Sequence, residues 1–171
     1  IYAKLGALMK AKEVFDDLSI RDMVTWTALI SGYAQHGYGE EALTCFERMK
    51  CESFLPNLVT FICILKACGS ILDVDKGKRI HAKAIMDLSI ENNHVVLTAF
   101  VDMYAKCGML QKARRVSDQI SVKDMVSWTV LIHGFVQHDH GDEALSLFEQ
   151  MQQEGHAPDI FTISCILKAC G

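Results

Sequence analysis

Residues Met23 to Asn57 read MVTWTALISGYAQHGYGEEALTCFERMKCESFLPN, and the stretch returns as MVSWTVLIHGFVQHDHGDEALSLFEQMQQEGHAPD from Met125 to Asp159. Trp26 recurs as Trp128, Phe46 as Phe148, Pro56 as Pro158 and Cys63 as Cys165, each displaced by 102 positions. One register lays residues 1–69 on 103–171; more than half of the pairs are identical, and the seven residues CILKACG repeat unchanged. With no insertion or deletion to interrupt it, this fixed period is the mark of a repeat array.

Within the unit, Trp26, Leu29, Ile30 and Tyr33 recur at spacings of three and four and form the apolar stripe of a first helix, interrupted by His36, Gly37 and Gly39. A second helix starts near Glu40, carries Ala42, Phe46 and Met49 on its inner face, and stops before Pro56. The 35-residue unit is therefore a helical hairpin. Residues 58–93 repeat the plan over 36 residues, with LVTFICILKACGS, then VDKGKRIHAKAIMDL and the polar SIENN. Residues 94–124 do so over 31, with HVVLTAFVDMYAK, a Cys-Gly turn and LQKARRVSDQI. The three lengths fill the period. Residues 125–159 are the second copy of the first hairpin, and 160–171 open another 36-residue unit. Residues 1–22 read as the tail of one helix, a turn near Gly6 and a second helix striped by Ala11, Val14 and Phe15. The expected fold is all-α, a right-handed α-solenoid superhelix of stacked helical hairpins, in which each unit needs its neighbour to close a core. The sequence opens at Ile1 in mid-pattern and closes just after a motif that elsewhere runs on into Ser70, so it reads as a piece of a longer array.

A hydrophobic fraction of 50% with only two prolines suits helices buried on two sides, and no run approaches the length of a membrane span. Seven cysteines are an odd number, and the CxxxxC pairs, Cys63 with Cys68 and Cys165 with Cys170, point their side chains apart on a helix. Reduced, packed thiols are expected. The HDH turn at His138 to His140 tempts a metal reading, but the other copy has His36, Gly37 and Tyr38 there, and a zinc site wants three or four ligands. A solvated turn is expected, with no metal and no cofactor. Catalysis has no motif to rest on: HxE and CxxC are absent, as are a phosphate-cradling glycine loop and a nucleophile elbow. A net charge of −4 runs against the basic excess usual in nucleic-acid binders, so any such role must rest on local groups.

A WxxLxxxY first helix followed by Ala42 and Phe46 would suit a tetratricopeptide repeat. Yet Ile30 and Ile132 stand where that repeat wants a small residue, and units of 35, 36 and 31 break its uniform length. The rotation closely resembles the plant pentatricopeptide repeat proteins of the PLS subclass. It does so through WTALISGYAQHG and EALTCFERM (P type), FICILKACGS and GKRIHAKAI (L type), and FVDMYAKCGMLQKARRV (S type), over essentially all 171 residues. On that resemblance 1–22 is a partial S-type repeat, 23–57 P-type, 58–93 L-type, 94–124 S-type, 125–159 P-type and 160–171 a partial L-type repeat. It implies sequence-specific binding of single-stranded RNA, one base per reading repeat, in a groove lined by first helices. No DNA is expected.

Val24, Thr27, Ser31 and Gln35 fall at spacings of 3, 4 and 4, on the face opposite the Trp26 stripe. The resemblance makes the fifth and last residues of a repeat choose the base, while the second packs against it. That implies the pairs Thr27 with Asn57, Thr98 with Asp124 and Thr129 with Asp159, and the packing residues Val24, Val95 and Val126. Asn offers donor and acceptor, matching adenine; a carboxylate only accepts, matching guanine's N–H donors. Ile62 in the L-type unit cannot hydrogen-bond a base, so the implied core is 5′-A-N-G-G-3′. Asp22 and Ser164 are halves of further pairs. Lys4 and Lys106 hold the implied phosphate-contacting position, where the P-type units have Gln35 and Gln137. Pattern alone also supports the threonines as helix starters and Asn57, Asp124 and Asp159 as caps, roles that can coexist with base reading. The second-helix cations Lys76, Lys78, Arg79 and Lys83, and Lys112, Arg114 and Arg115, read as solvated faces open to a protein partner. The implied role is RNA recognition in an organellar editing factor, in mitochondrion or chloroplast, presenting a cytidine to a deaminase supplied elsewhere. The L-type repeat would meet that deaminase or an accessory protein. A protein-binding scaffold within a ribonucleoprotein is the alternative.

Overall fold

The computed structural model describes residues 2–88 and 93–169, with side chains described for 7–82 and 93–169. These residues form ten helices and no strand: α1 (Tyr2–Asp17), α2 (Met23–Gln35), α3 (Gly39–Cys51), α4 (Leu58–Ser70), α5 (Val74–Leu88), α6 (His94–Lys106), α7 (Leu110–Ser117), α8 (Met125–Gln137), α9 (Gly141–Gln153) and α10 (Ile160–Ala169). They group into two compact units, 1–80 and 81–171.

In the first unit α2 packs on α3 and α4, α3 also meets α4, and α1 lies on α2. In the second, α6 packs on α7 and α8, α8 on α9, and α10 covers both α8 and α9. Each unit therefore has a layer of first helices laid side by side and a layer of second helices behind it. The apolar stripes read from the sequence form the seam: Trp26, Ile30, Tyr33, Ala42, Phe46 and Met49 are all buried, as are Trp128, Leu131, Ile132 and Phe135 in the copy. Phe15 stands edge-on to Trp26 at 4.5 Å between ring centroids. Cys63, Cys68 and Cys165 are buried in the same layers, while Cys170 lies outside the described residues.

The turn inside each hairpin has one design. Gly37 and Gly108 take left-handed φ angles of 80° and 72°, and the next amide reaches back to a helix carbonyl: Tyr38 N–H to Tyr33 at 2.9 Å, Met109 N–H to Tyr104 at 2.9 Å. The left-handed position is filled by Leu72 and Asp139 in the other two hairpins. Between hairpins, Asn57, Asp124 and Asp159 accept the backbone N–H of the third residue of the following helix at 2.8, 2.8 and 2.7 Å. Asp22 does the same for Thr25, whose hydroxyl closes a capping box on the Asp22 amide.

One expectation needs correcting. The turn foreseen at Gly6 is absent, because α1 runs unbroken through it. Among the described side chains of α1, Leu8 and Phe15 are buried, whereas Ala11 and Val14 are exposed. Their counterparts Ala113 and Val116 are buried on the hairpin that α6 makes with α7. At Gly108 the chain turns from α6 into α7, which pack on one another, whereas at Gly6 the helical hydrogen bonds continue.

Two sites in the second unit set its packing. A Cβ on Gly134 would collide with the Cβ of Ala105, so the α6–α8 crossing needs glycine there; at Gly32, in the first copy, a Cβ meets only the Leu8 Cδ2 at 3.3 Å. Gly134→Ala is expected to lower unfolding stability by ~1–3 kcal/mol and Gly32→Ala by clearly less, as measured by urea unfolding. His81 stacks on Phe100 at 3.9 Å and shares a 2.8 Å hydrogen bond between its Nδ1 and the Tyr104 hydroxyl. Burial, helped by Lys112, pushes the imidazole down to about 4, while burial pushes the Tyr104 phenol up to about 12. The unfolded chain would protonate this histidine near 6.5, so between pH 6.5 and about 4 the unfolded state holds more protons than the native one. Stability should fall as pH drops through that window, and the slope measured by thermal melts should be shallower in His81→Phe.

Candidate nucleic-acid interface

The first helices turn one face toward the seam and leave the other open. On α6 that open face carries Val95, Thr98, Asp102 and Lys106; on α8, Val126, Thr129, His133 and Gln137; on α10, Phe161, Ser164 and Lys168. Spacings of three and four align them on each helix, and the α6–α8 and α8–α10 contacts set the three helices side by side. In the first unit α2 and α4 present Val24, Thr27, Ser31 and Gln35 beside Val59, Ile62, Lys66 and Ser70. The N-terminal row is apolar yet open: Val24 is 67% exposed, Val95 47%, Val126 59% and Phe161 52%. Open apolar side chains in line suit the flat face of a base.

The threonines and the caps come together through a third group that sequence reasoning missed. Thr129 Oγ1 lies 2.9 Å from Thr162 Oγ1, and the Thr162 hydroxyl donates to Asp159 Oδ1 at 2.7 Å. Thr98 Oγ1 lies 2.7 Å from Ser127 Oγ, which donates to Asp124 Oδ1 at 2.7 Å. Thr27 Oγ1 lies 2.9 Å from Thr60 Oγ1, which donates to Asn57 Oδ1 at 2.9 Å, and Thr27 Oγ1 also sits 2.7 Å from the Met23 carbonyl. The linking hydroxyls, on Thr60, Ser127 and Thr162, are 0–1% exposed. Their signal in the sequence is a hydroxyl three residues after each Asn or Asp, in NLVT, DMVS and DIFT, a pattern that reads on its own as helix capping. The capping role is real, since Asn57, Asp124 and Asp159 start α4, α8 and α10. At the corresponding positions around residues 58–93 stand Ile62, Asn93 and, in the following helix, Val96, with no hydroxyl among them.

Thr27 and Thr129 are half-buried, and Thr98 is 9% exposed, its hydroxyl turned inward onto Ser127. The Thr162 backbone N–H, and then its hydroxyl, hold the Asp159 carboxyl below its ordinary range. For Asp124 burial pulls upward but is outweighed by the Ser127 N–H and hydroxyl, so the net direction is down. Both are carboxylates at neutral pH. Lys106 reaches its own helix neighbour Asp102 at 2.7 Å, which neutralises part of its charge. Lys4 lies outside the described side chains.

His133 faces Phe161 at 5.3 Å between ring centroids. Burial lowers its basicity, with Asp102 opposing and Lys106 and Lys168 reinforcing. At the HDH turn, His138 Nε2 sits 2.8 Å from the Ala105 carbonyl, tying the α8 turn to the end of α6, and His140 pairs with Glu143 at 3.1 Å. The turn is thus partly engaged rather than wholly solvated. Among the described residues no three His, Cys, Asp or Glu side chains converge on a metal-sized site, and no helix is long and apolar enough to cross a membrane. Of the second-helix cations, Arg79 and Arg115 are exposed, Lys112 covers the Tyr104 ring at 4.7 Å, and Lys83 lies outside the described side chains.

The PPR repeat family model matches residues 21–70 and 123–171, and a PPR repeat model matches 95–116. The chloroplastic pentatricopeptide repeat-containing protein At4g18520 of Arabidopsis thaliana is 42% identical over 170 residues, which cover 99% of this chain and 27% of that protein. The mitochondrial At2g03380 from the same plant is 36% identical over 171 residues, 100% of this chain and 25% of that one. The chain therefore spans about a quarter of the length of these relatives. Among solved structures, PPR10 in complex with an 18-nt psaJ RNA element is similar with a TM-score of 0.77 at 20% identity, over 92% of this chain and 24% of that one. Nuclear proteinaceous RNase P 2 of Arabidopsis thaliana gives 0.63 at 18% identity, over 87% and 35%. These likenesses assign the fold, an all-α solenoid of stacked hairpins.

Proposed function

The chain belongs to the pentatricopeptide repeat family, and on that premise we propose that it binds single-stranded RNA along the open face of its first helices and reads one base per reading repeat. In this reading the P, L, S and second P repeats run 23–57, 58–93, 94–124 and 125–159, with partial repeats on either side. Thr27 with Asn57 reads adenine, while Thr98 with Asp124 and Thr129 with Asp159 read guanine. Val24, Val95 and Val126 pack on the base faces. Ile62 leaves the L-type repeat indifferent, which gives 5′-A-N-G-G-3′. The observation that carries this reading is the threefold link of a first-helix threonine, through a buried hydroxyl, to the Asn or Asp that caps the neighbouring first helix, beside an exposed valine in every case.

Electrostatics supports only a light grip. The net charge is −4 and Lys106 is engaged by Asp102, so affinity rests on stacking of about 1–3 kcal/mol per base. Three reading repeats barely offset the ordering of a flexible strand. Relatives named as chloroplastic and mitochondrial support an organellar setting, where the array would direct C-to-U editing by a deaminase supplied elsewhere. The same weak charge favours, as a second reading, a protein-binding scaffold in an organellar ribonucleoprotein.

Fluorescence anisotropy at low salt with short RNAs containing 5′-A-N-G-G-3′ separates the two. Changing both guanines to pyrimidines should weaken binding by about tenfold or more, given roughly one lost hydrogen-bonded edge per base. Asn57→Asp should shift the first position from adenine toward guanine. Equal affinity for all strands would favour the scaffold.

A further inference from the structure

We infer that the buried hydroxyls of Thr60, Ser127 and Thr162 are positioning residues for base choice, because each fixes the direction of the protons that its Thr and Asn or Asp neighbours present to the open face. The inference rests on the RNA-reading proposal above and adds a third residue to each reading pair.

The number of protons available fixes the direction of each bond. A hydroxyl has a single proton to donate. The Ser127 hydroxyl lies 2.7 Å from Asp124 Oδ1, which also accepts the Ser127 N–H at 2.8 Å. An ionised carboxylate donates nothing, and both bonds hold Asp124 in that form. The Ser127 proton is therefore spent on Asp124. In the 2.7 Å contact between Ser127 Oγ and Thr98 Oγ1, the donor must then be Thr98. The same count gives Thr129 to Thr162 to Asp159, over 2.9 and 2.7 Å. Every proton in these two chains points inward. At Thr129 and Asp159, what remains for a base is a threonine lone pair and the second carboxylate oxygen, two acceptors, which complement the N1–H and N2–H donors of guanine and repel adenine's N1 lone pair; at the buried Thr98 the second Asp124 oxygen is the open acceptor.

In the first unit the end group changes and the rest does not. Thr60 gives both its N–H, at 2.8 Å, and its hydroxyl, at 2.9 Å, to Asn57 Oδ1. With that oxygen pinned inside, the Asn57 amide nitrogen is the end that remains. The Thr27 proton goes inward, to Thr60 or to the Met23 carbonyl. The pair then offers one acceptor and one donor, which fits the N6–H donor and N1 acceptor of adenine. Without the linking hydroxyl, the threonine could turn its proton outward and the Asn57 amide could flip. Either motion blurs the distinction between the two purines. The Ile62, Val96 and Asn93 set, which lacks the hydroxyl, falls in the repeat with no reading threonine.

The test is the ratio of affinities for guanine over adenine at the position read by Thr129 and Asp159, measured by anisotropy on the whole chain. Thr162→Val keeps the Asp159 bond to the backbone N–H and removes only the hydroxyl. It should lower that ratio by about tenfold, roughly one hydrogen bond's worth of discrimination, with a smaller loss of overall affinity. Thr162→Ser should restore the ratio, and thermal melts of both variants check that the fold persists. If Thr162→Val weakens both RNAs equally, or leaves the ratio unchanged, the hydroxyl is a structural cap and the inference is overturned. If the parent chain itself shows no guanine preference, the RNA-reading proposal falls, and that outcome is distinct.

Discussion

Everything on the open face depends on where each first helix begins, and a single side chain sets that point. Asp22, Asn57, Asp124 and Asp159 each accept the backbone N–H of the residue three along. Such a cap contributes about 1 kcal/mol, a modest term in stability but a strong one in register. Once the start is fixed, 3.6 residues per turn send positions two, five, nine and thirteen to one side and the tryptophan stripe to the other. Through the linking hydroxyl the cap is also joined to the threonine of the neighbouring first helix. Architecture and the proposed recognition thus share one side chain, an Asn or Asp whose Oδ1 serves the cap.

The packing behind that face explains its rigidity. No hairpin buries both of its sides alone, so the α6–α8 crossing at Gly134 and Ala105, and the bond from His138 to the Ala105 carbonyl, lock neighbouring first helices together. Behind them His81, Phe100 and Tyr104 form a stacked, hydrogen-bonded knot that joins a second helix to the next first helix. Two features remain imperfect. The indole N–H groups of Trp26 and Trp128 and the Ser117 hydroxyl are buried with no hydrogen-bond partner among the described residues. Ser117 stands where the first copy has Phe15, which packs on Trp26.

Much of this was legible because the chain contains its own comparison. The 102-residue register separates residues that must stay, such as Trp26, Gly32 and Pro56, from those free to drift. The apolar stripes, the glycine turns and the hairpin ends follow from spacing alone. Where the sequence misled, long-range packing was the cause. Gly6 matches Gly108 in sequence, yet α1 runs straight through Gly6 while α6 and α7 fold back on one another at Gly108. His138 bonds a carbonyl 33 residues away, which no local pattern encodes. The linking hydroxyls were hidden for a different reason. A Thr or Ser three residues after Asp already has an explanation as a cap, and its second bond, to a threonine on the neighbouring helix, is visible only in three dimensions.

The central claim is that the first-helix face, and no other surface, takes the nucleotide strand. Methyl-resolved NMR of the whole chain, with threonine and valine methyls observed during titration with a 5′-A-N-G-G-3′ strand, examines it directly. The account predicts shifts at Thr27, Thr98, Thr129, Val24, Val95 and Val126, while Val116 on α7 stays in place. Perturbation confined to the second helices, or none at saturating RNA, would contradict it.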